Sequence, residues 1–263
     1  MTALADARAK LSRAEEHFRV LDVEIAHFLA RDPYSVTREP HPHKTGYLFR
    51  VHVHREIPQP RWALLLGDCV HNARSALDHL AWRMAAANPA DKATQFPIFM
   101  SRTLFDERSG RMMKNLSGRR HIAFIKWFQP HRRGDPGDLL WILQALDATD
   151  KHQLVLPVAN FYGALDPLIV VPRKTYIGWE SEVFLGPFED GAVIAEAIIT
   201  EGPLDTRTGE SKDVEVGTGG EFGFEITVSD KAIEGHVPVR EALPAAIQRV
   251  AHVLDAAERL ALV

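Results

Sequence analysis

The chain has 263 residues, 46% of them hydrophobic and 25% charged, the make-up of a globular protein with room for one large domain or two small ones. Lys plus Arg total 31 and Asp plus Glu total 35, a formal charge of −4, so nothing in the overall charge advertises nucleic-acid binding, although a local basic patch is compatible with it. Cys69 is the single cysteine, which excludes an internal disulfide, argues against Cys-based zinc ligation and reads as a buried structural thiol.

No run approaches the roughly 18 apolar residues of a membrane span, and MTALADARAKLSRAEEHF lacks the apolar core of a signal peptide. A cytoplasmic protein with no membrane partner is expected. Residues 3–30 carry Leu4, Ala7, Leu11, Ala14, Phe18, Leu21, Ile25 and Phe28 at three- and four-residue steps, a seam that needs a partner helix and ends at Asp32-Pro33. Residues 34–56 then read as a hairpin. Tyr47, Phe49, Val51 and Val53 alternate with Leu48, Arg50, His52 and His54. His41 and His43 lie in its turn. The four histidines invite a metal reading, but with no acidic or Cys co-ligands a solvated polar face is the better account.

Pro58 and Pro60 open a central helix, WALLLGDCVHNARSALDHLAWRM over residues 62–84, which Asn88-Pro89 stops. Leu66, Val70, Ala73, Leu77, Leu80 and Met84 form its apolar seam. Residues 91–100 read as extended, 101–115 and 119–128 as short helices, and 129–137 as a loop holding His131, Arg132 and Arg133. Asp138 caps a helix through Asp150 that offers Leu139, Ile142, Leu143 and Leu146 for packing.

The periodicity then changes to strands, at Leu154–Ala159, Leu168–Pro172, Tyr176–Trp179, Glu182–Leu185, Val193–Thr200, Val214–Val216 and Phe222–Val228, with a polar loop from Pro203 to Lys212. Gly217 to Gly223 is glycine-rich but lacks the Lys-Ser/Thr and helix of a phosphate loop, and no cofactor is expected. Arg240 to Leu262 returns to helix on Leu243, Ile247, Val250, Leu254, Ala257 and Ala261. The expected fold is α+β. An antiparallel helical bundle occupies residues 1–153 and 238–263 and carries the hairpin at 34–56, with an antiparallel β insertion at 154–237.

Chemistry concentrates on the central helix. Asp68, His71, Asn72, Ser75, Asp78 and His79 fall within about a third of its circumference at 100° per residue. Short Asp, Asn, Ser and His are poor helix formers, and a solvated face normally uses Lys, Glu, Gln and Arg. Such a stripe reads as facing a polar pocket or a partner, with acid, base and orienting groups or metal ligands among its members. A hydrogen-bond network that only fixes helix register explains it equally well, and Arg74 and Asp78, four apart, make an ordinary helix ion pair. A second group, Asp147, Asp150, Lys151 and His152, ends the 138–150 helix, where Lys and His complement the helix dipole. It joins the first only if Asp150 or His152 points back to the central helix. A third, His131-Arg132-Arg133 with Arg119 and Arg120, reads as a solvated basic loop.

Arg74-Ser75-Ala76-Leu77-Asp78-His79 resembles the Arg-x4–6-His motif of HEPN-type ribonucleases, as do Asn72 before it and its place on a long bundle helix. The resemblance implies a helical bundle that dimerises and cuts single-stranded RNA without metal, in a defence or toxin setting. Carried over, His79 is the general acid or base, Arg74 stabilises the phosphorane charge, and Asp68 or Asp78 orients the histidine. Its departures are the motif's early position and the β insertion. Five residues apart, Arg74 and His79 stand about 140° apart on one helix, so they cooperate only across a dimer or through a bend. His71, Asn72, Ser75, Asp150 and His152 are then binding residues. Two alternatives stay open. One is a metal-binding or metal-dependent hydrolytic bundle using His71, Asp78 and His79. The other is a non-enzymatic ligand- or partner-binding protein. GDCVHNARSALDHLAW and LDATDKHQLV also look like paired blocks of bacterial proteins, a likeness that carries no activity.

Overall fold

The structure, a computed structural model, describes residues 4–44, 46–85, 91–116, 118–132, 134, 137–163, 166–170, 178–184, 189–201, 215–219, 222–233 and 235–263. Asn88, Pro89, Arg133, Tyr176, Leu185 and the Pro203–Lys212 loop lie outside them. The fold is mixed α+β. Its elements are α1 (Ala5–Leu29), β1 (Tyr34–Pro40), β2 (Gly46–Val53), α2 (Gln59–Met84), α3 (Arg102–Met113), α4 (Arg119–Trp127), α5 (Leu139–Asp150), β3 (Val158–Gly163), β4 (Asp166–Val170), β5 (Gly178–Val183), β6 (Val193–Glu201), β7 (Glu215–Gly219), β8 (Phe222–Val228), β9 (Val237–Pro238) and α6 (Val239–Arg259). The β portion precedes the last helix, as the change of periodicity predicts. Among the described residues no helix is long and apolar enough to cross a membrane.

The chain divides into two compact units. One comprises Met1–Ile25, Pro58–Pro157 and Thr227–Val263; the other comprises Ala26–Ile57 and Val158–Ile226. The first is a four-helix bundle. Its side-chain pairs give the directions. Asp6 meets Arg83 at 2.8 Å and Glu24 accepts from Arg61 Nε at 2.9 Å, so α1 and α2 run antiparallel. Arg8 reaches Asp255 at 2.7 Å and Arg240 reaches Asp22 at 2.6 Å, so α1 and α6 do too. Arg74 meets Gln144 and His71 meets Asp147, which sets α5 antiparallel to α2. The order is therefore up, down, up, down through α1, α2, α5 and α6, and α5 packs on both α2 and α6.

The predicted seams are buried except at Phe18 and Phe28 of α1, which are half-buried, and at Ala261, which is exposed past the end of α6. Leu66, Val70, Ala73, Leu77, Leu80 and Met84 of α2 are buried, as are Ala7, Leu11, Ala14, Leu21 and Ile25 of α1. Leu243, Ile247, Val250, Leu254 and Ala257 of α6 join them. Asp138 caps α5 by accepting from the Leu140 and Trp141 backbone N–H groups at 2.9 and 3.3 Å. The extended segment after α2 is pinned by its backbone. Phe96 N–H donates to Asp78 at 2.9 Å, and Gln129 donates to the Pro97 carbonyl at 2.7 Å.

The second unit is built on an antiparallel sheet ordered β1-β2-β6-β5. Phe49, Val51, Ile194, Ala195 and Ala197 form its core, with Tyr34, Val36 and Phe224 packed against it. The hairpin, expected with the helices, thus belongs with the strands. Its β2 is hydrogen-bonded edge to edge with β6, whose Ile194, Ala195 and Ala197 share one core with Phe49 and Val51. Gly46 is required at the start of β2, because a Cβ there would collide with the Ala197 carbonyl. β4 pairs with β7, and β8 pairs with β3; the last residues of β8, Thr227 and Val228, pair with β9 in the helical unit. Two strand expectations need correction. Leu154–Pro157 is not strand, since Pro157 has no N–H to offer a ladder. The strands expected at Tyr176–Trp179 and Glu182–Leu185 are one, Gly178–Val183, paired continuously to β6 after a bulge.

Candidate functional site

The polar stripe of α2 does not face open water along its length. It is divided between α1, α5 and the Phe96 segment. Asn72 donates to the Asp68 carbonyl at 2.8 Å and accepts from Lys10 of α1 at 3.3 Å. Asp68 is exposed and lies 3.9 Å from His17 Nδ1, an ion-pair separation and too long for a hydrogen bond.

Arg74 is only 5% exposed, and each nitrogen of its guanidinium is committed. Nε donates to Gln144 at 2.8 Å, Nη1 to Asp78 at 2.7 Å and Nη2 to the Phe96 carbonyl at 2.7 Å. Asp78 Oδ1 in turn accepts from Phe96 N–H. The HEPN resemblance gave Arg74 a phosphorane to stabilise and Asp78 a histidine to orient. Within this chain both residues bind α2 to α5 and to the extended Phe96 segment instead, because a buried guanidinium must be paired in the fold itself.

The other half of the stripe is organised by Asp147 of α5, which is 1% exposed in its side chain. Its Oδ1 lies 3.1 Å from His71 Nδ1 and its Oδ2 lies 2.6 Å from Lys151 Nζ. A carboxylate only accepts, so His71 Nδ1 carries the proton and Nε2 is left as the acceptor of the neutral ring. Ser75 Oγ stands 3.4 Å from that Nε2. His71 and Lys151 are 53% and 54% exposed in their side chains. One buried carboxylate therefore holds a solvent-facing imidazole and a solvent-facing ammonium side by side.

Asp150 does point back to α2. Its carboxylate packs on Gly67, where a Cβ would lie 2.6 Å from Asp150 Cγ. Burial, followed by the charges of Asp147 and Asp68, raises the Asp150 carboxyl above its ordinary value, while His71 opposes the rise. The sequence groups of α2 and α5 thus converge through Asp147 and Asp150. They do not converge through His152, which lines a groove on another face of α5. His79 is half-buried and makes no side-chain hydrogen bond among the described residues. Gln144, Lys10 and His17 were not read as site residues. Gln144 lies three residues before Asp147 and could have been found by extending that face of α5 backward; nothing local marks Lys10 or His17.

His71, Asp78 and His79 do not form a metal site, because Asp78 is spent on Arg74 and Phe96. Among the described residues no group of three or more His, Cys, Asp or Glu side chains is placed to hold a metal ion. Two of the four hairpin histidines bond across the hairpin, His52 with Thr37 and His54 with Ser35, both at 2.8 Å, and in the turn His41 Nδ1 accepts from the His43 and Lys44 backbone N–H groups. Cys69 is buried, which pushes its thiol up to about 12. In the basic loop, Arg132 stacks over Trp127 at 4.9 Å, and Arg120 donates to the Leu260 carbonyl at 3.1 Å. The chain matches no family model, no curated protein and no solved structure.

Proposed function

We propose that this chain is a HEPN-type, metal-independent ribonuclease acting on single-stranded RNA as a homodimer, with His71 joining His79 in proton transfer and Lys151 taking the charge-stabilising role expected of Arg74. The observation that carries the reading is the Asp147-held pair of exposed groups, His71 and Lys151. Breaking RNA without metal requires a base for the 2′-hydroxyl, positive charge for the phosphorane and an acid for the leaving oxygen. His71 Nε2 is the base, and Ser75 Oγ marks where a substrate hydroxyl reaches it. Lys151 supplies the charge. His79, which makes no side-chain hydrogen bond among the described residues, is the second histidine, brought to the cleft by dimerisation as the motif resemblance implies. Arg74 and Asp78 act only by positioning α2 against α5.

Purified protein is expected to cut unstructured RNA in EDTA and to leave cyclic phosphate ends. His71→Ala should lower the rate by about 10²–10⁴-fold, the usual worth of a positioned acid–base group. His79→Ala should do likewise, and light scattering should give a dimer. No cleavage by the wild-type protein, or full cleavage by both variants, overturns the proposal.

A further inference from the structure

One groove of the helical unit is not used by the ribonuclease reading. It holds about 470 Å³, within the range of small-molecule sites. Two aromatic rings line it. Trp141 is fixed in place by its indole N–H, which donates to the Ala232 carbonyl at 2.9 Å. Phe99 is braced edge-on by Phe105, with ring centroids 6.2 Å apart. Four polar groups face the same space. Arg108 of α3 and His152 make no side-chain hydrogen bond or ion pair among the described residues. Gln144 spends its oxygen on Arg74, and among the described residues its amide N–H₂ and the side chain of Gln153 make no hydrogen bond. The carboxylate of Asp230, by contrast, is occupied by Thr149 and by the Ala232 N–H.

We infer that this groove binds a nucleoside monophosphate, its base against Trp141 and Phe99 and its phosphate on Arg108 and His152. Flat apolar walls accept any base by its face. A guanidinium free of carboxylates pairs bidentately with a phosphate, and a second donor beside it adds to the hold. The amide groups of Gln144 and Gln153 suit the hydrogen-bonding edge of a base. A purely apolar ligand would leave all four of these groups desolvated and unpaired, which weighs against one. Binding here does not require that RNA be cut at His71.

Titration calorimetry with adenosine 5′-monophosphate tests the inference, with adenosine and inorganic phosphate as separate arms. One saturable site per chain is expected, with each fragment at least roughly tenfold weaker, since neither engages both halves of the groove. Arg108→Glu, on the exposed face of α3, should weaken binding at least roughly tenfold, with its helical circular dichroism unchanged. His71→Ala should bind as the wild type does, which separates this site from the proposed catalytic one. The inference is overturned if the nucleotide fails to saturate at millimolar concentration, if phosphate alone binds as well, or if Arg108→Glu binds normally.

Discussion

Arg74 carries more of the fold than its place in a short motif conveys. Deleting its side chain leaves the Gln144 oxygen and the Phe96 carbonyl without this donor and leaves Asp78 with only the Phe96 N–H. Arg74→Ala should therefore lower stability by about 3 kcal/mol, read as a shift in the urea midpoint, because a broken buried pair costs far more than an exposed one. Loss of the proposed RNA cleavage in that variant would then report on folding. Asp150 behaves in the opposite sense. Its folded carboxyl titrates above its ordinary value, chiefly through burial. The folded state thus binds a proton more tightly than the unfolded one, and stability falls as pH rises from the ordinary carboxylate range through the raised value. Above that window the cost of ionisation is fully present. Asp150→Asn should be more stable than the wild type at neutral pH, and its advantage should vanish as pH drops below about 4, where both states of the wild-type residue are protonated. Melting temperatures across pH would show a constant or inverted difference if the carboxylate were instead favourably paired.

Between elements, the α2–α5 contact depends on an absent side chain. Gly67 lets α5 come close enough for Asp150 to rest on the α2 backbone, and a Cβ would overlap that carboxylate. Gly67→Ala should raise the intrinsic helix propensity of α2 by up to about 1 kcal/mol, yet displace Asp150. Overpacking a fitted contact costs about 1–3 kcal/mol, so a net loss is expected, relieved when Asp150→Ala is added. Two additive effects in the double variant would rule out the contact. The helices themselves were legible in the letters, because seams such as Leu66, Val70, Ala73, Leu77, Leu80 and Met84 repeat long enough to declare a buried face. The site was half legible. Short polar residues on α2 marked where to look, but no local signal shows that Asp147 turns inward to hold His71 or that Arg74 is walled in. Those facts depend on α5 lying antiparallel to α2, a pairing of residues some seventy positions apart. The hairpin failed to reveal its allegiance for the same reason. Its alternation gives a strand with one apolar face, and only the tertiary pairing names β6 as its neighbour in the sheet.

For the whole molecule, the decisive feature is that each unit has its own core. Phe49, Val51, Ile194, Ala195 and Ala197 are grouped in the strand unit. Leu66, Leu77, Leu143, Val250 and Leu254 are buried in the helical one. The chain passes between the units at residues 25–26, 57–58, 157–158 and 226–227. A unit with a separate core can lose it without dissolving its neighbour's, provided the connecting segments carry little of either. Phe49, 1% exposed, gives a clean lever. Phe49→Ala should remove about 3–5 kcal/mol from the strand unit alone. Heating should then produce an early transition that leaves most of the helical signal at 222 nm intact, followed by a second one near the wild-type temperature. If His71 and Lys151 are presented by the bundle alone, the proposed RNA cleavage should survive between the two transitions. A single transition that moves downward as a whole would instead make the two cores one cooperative system, and activity would be lost with the first helix to melt.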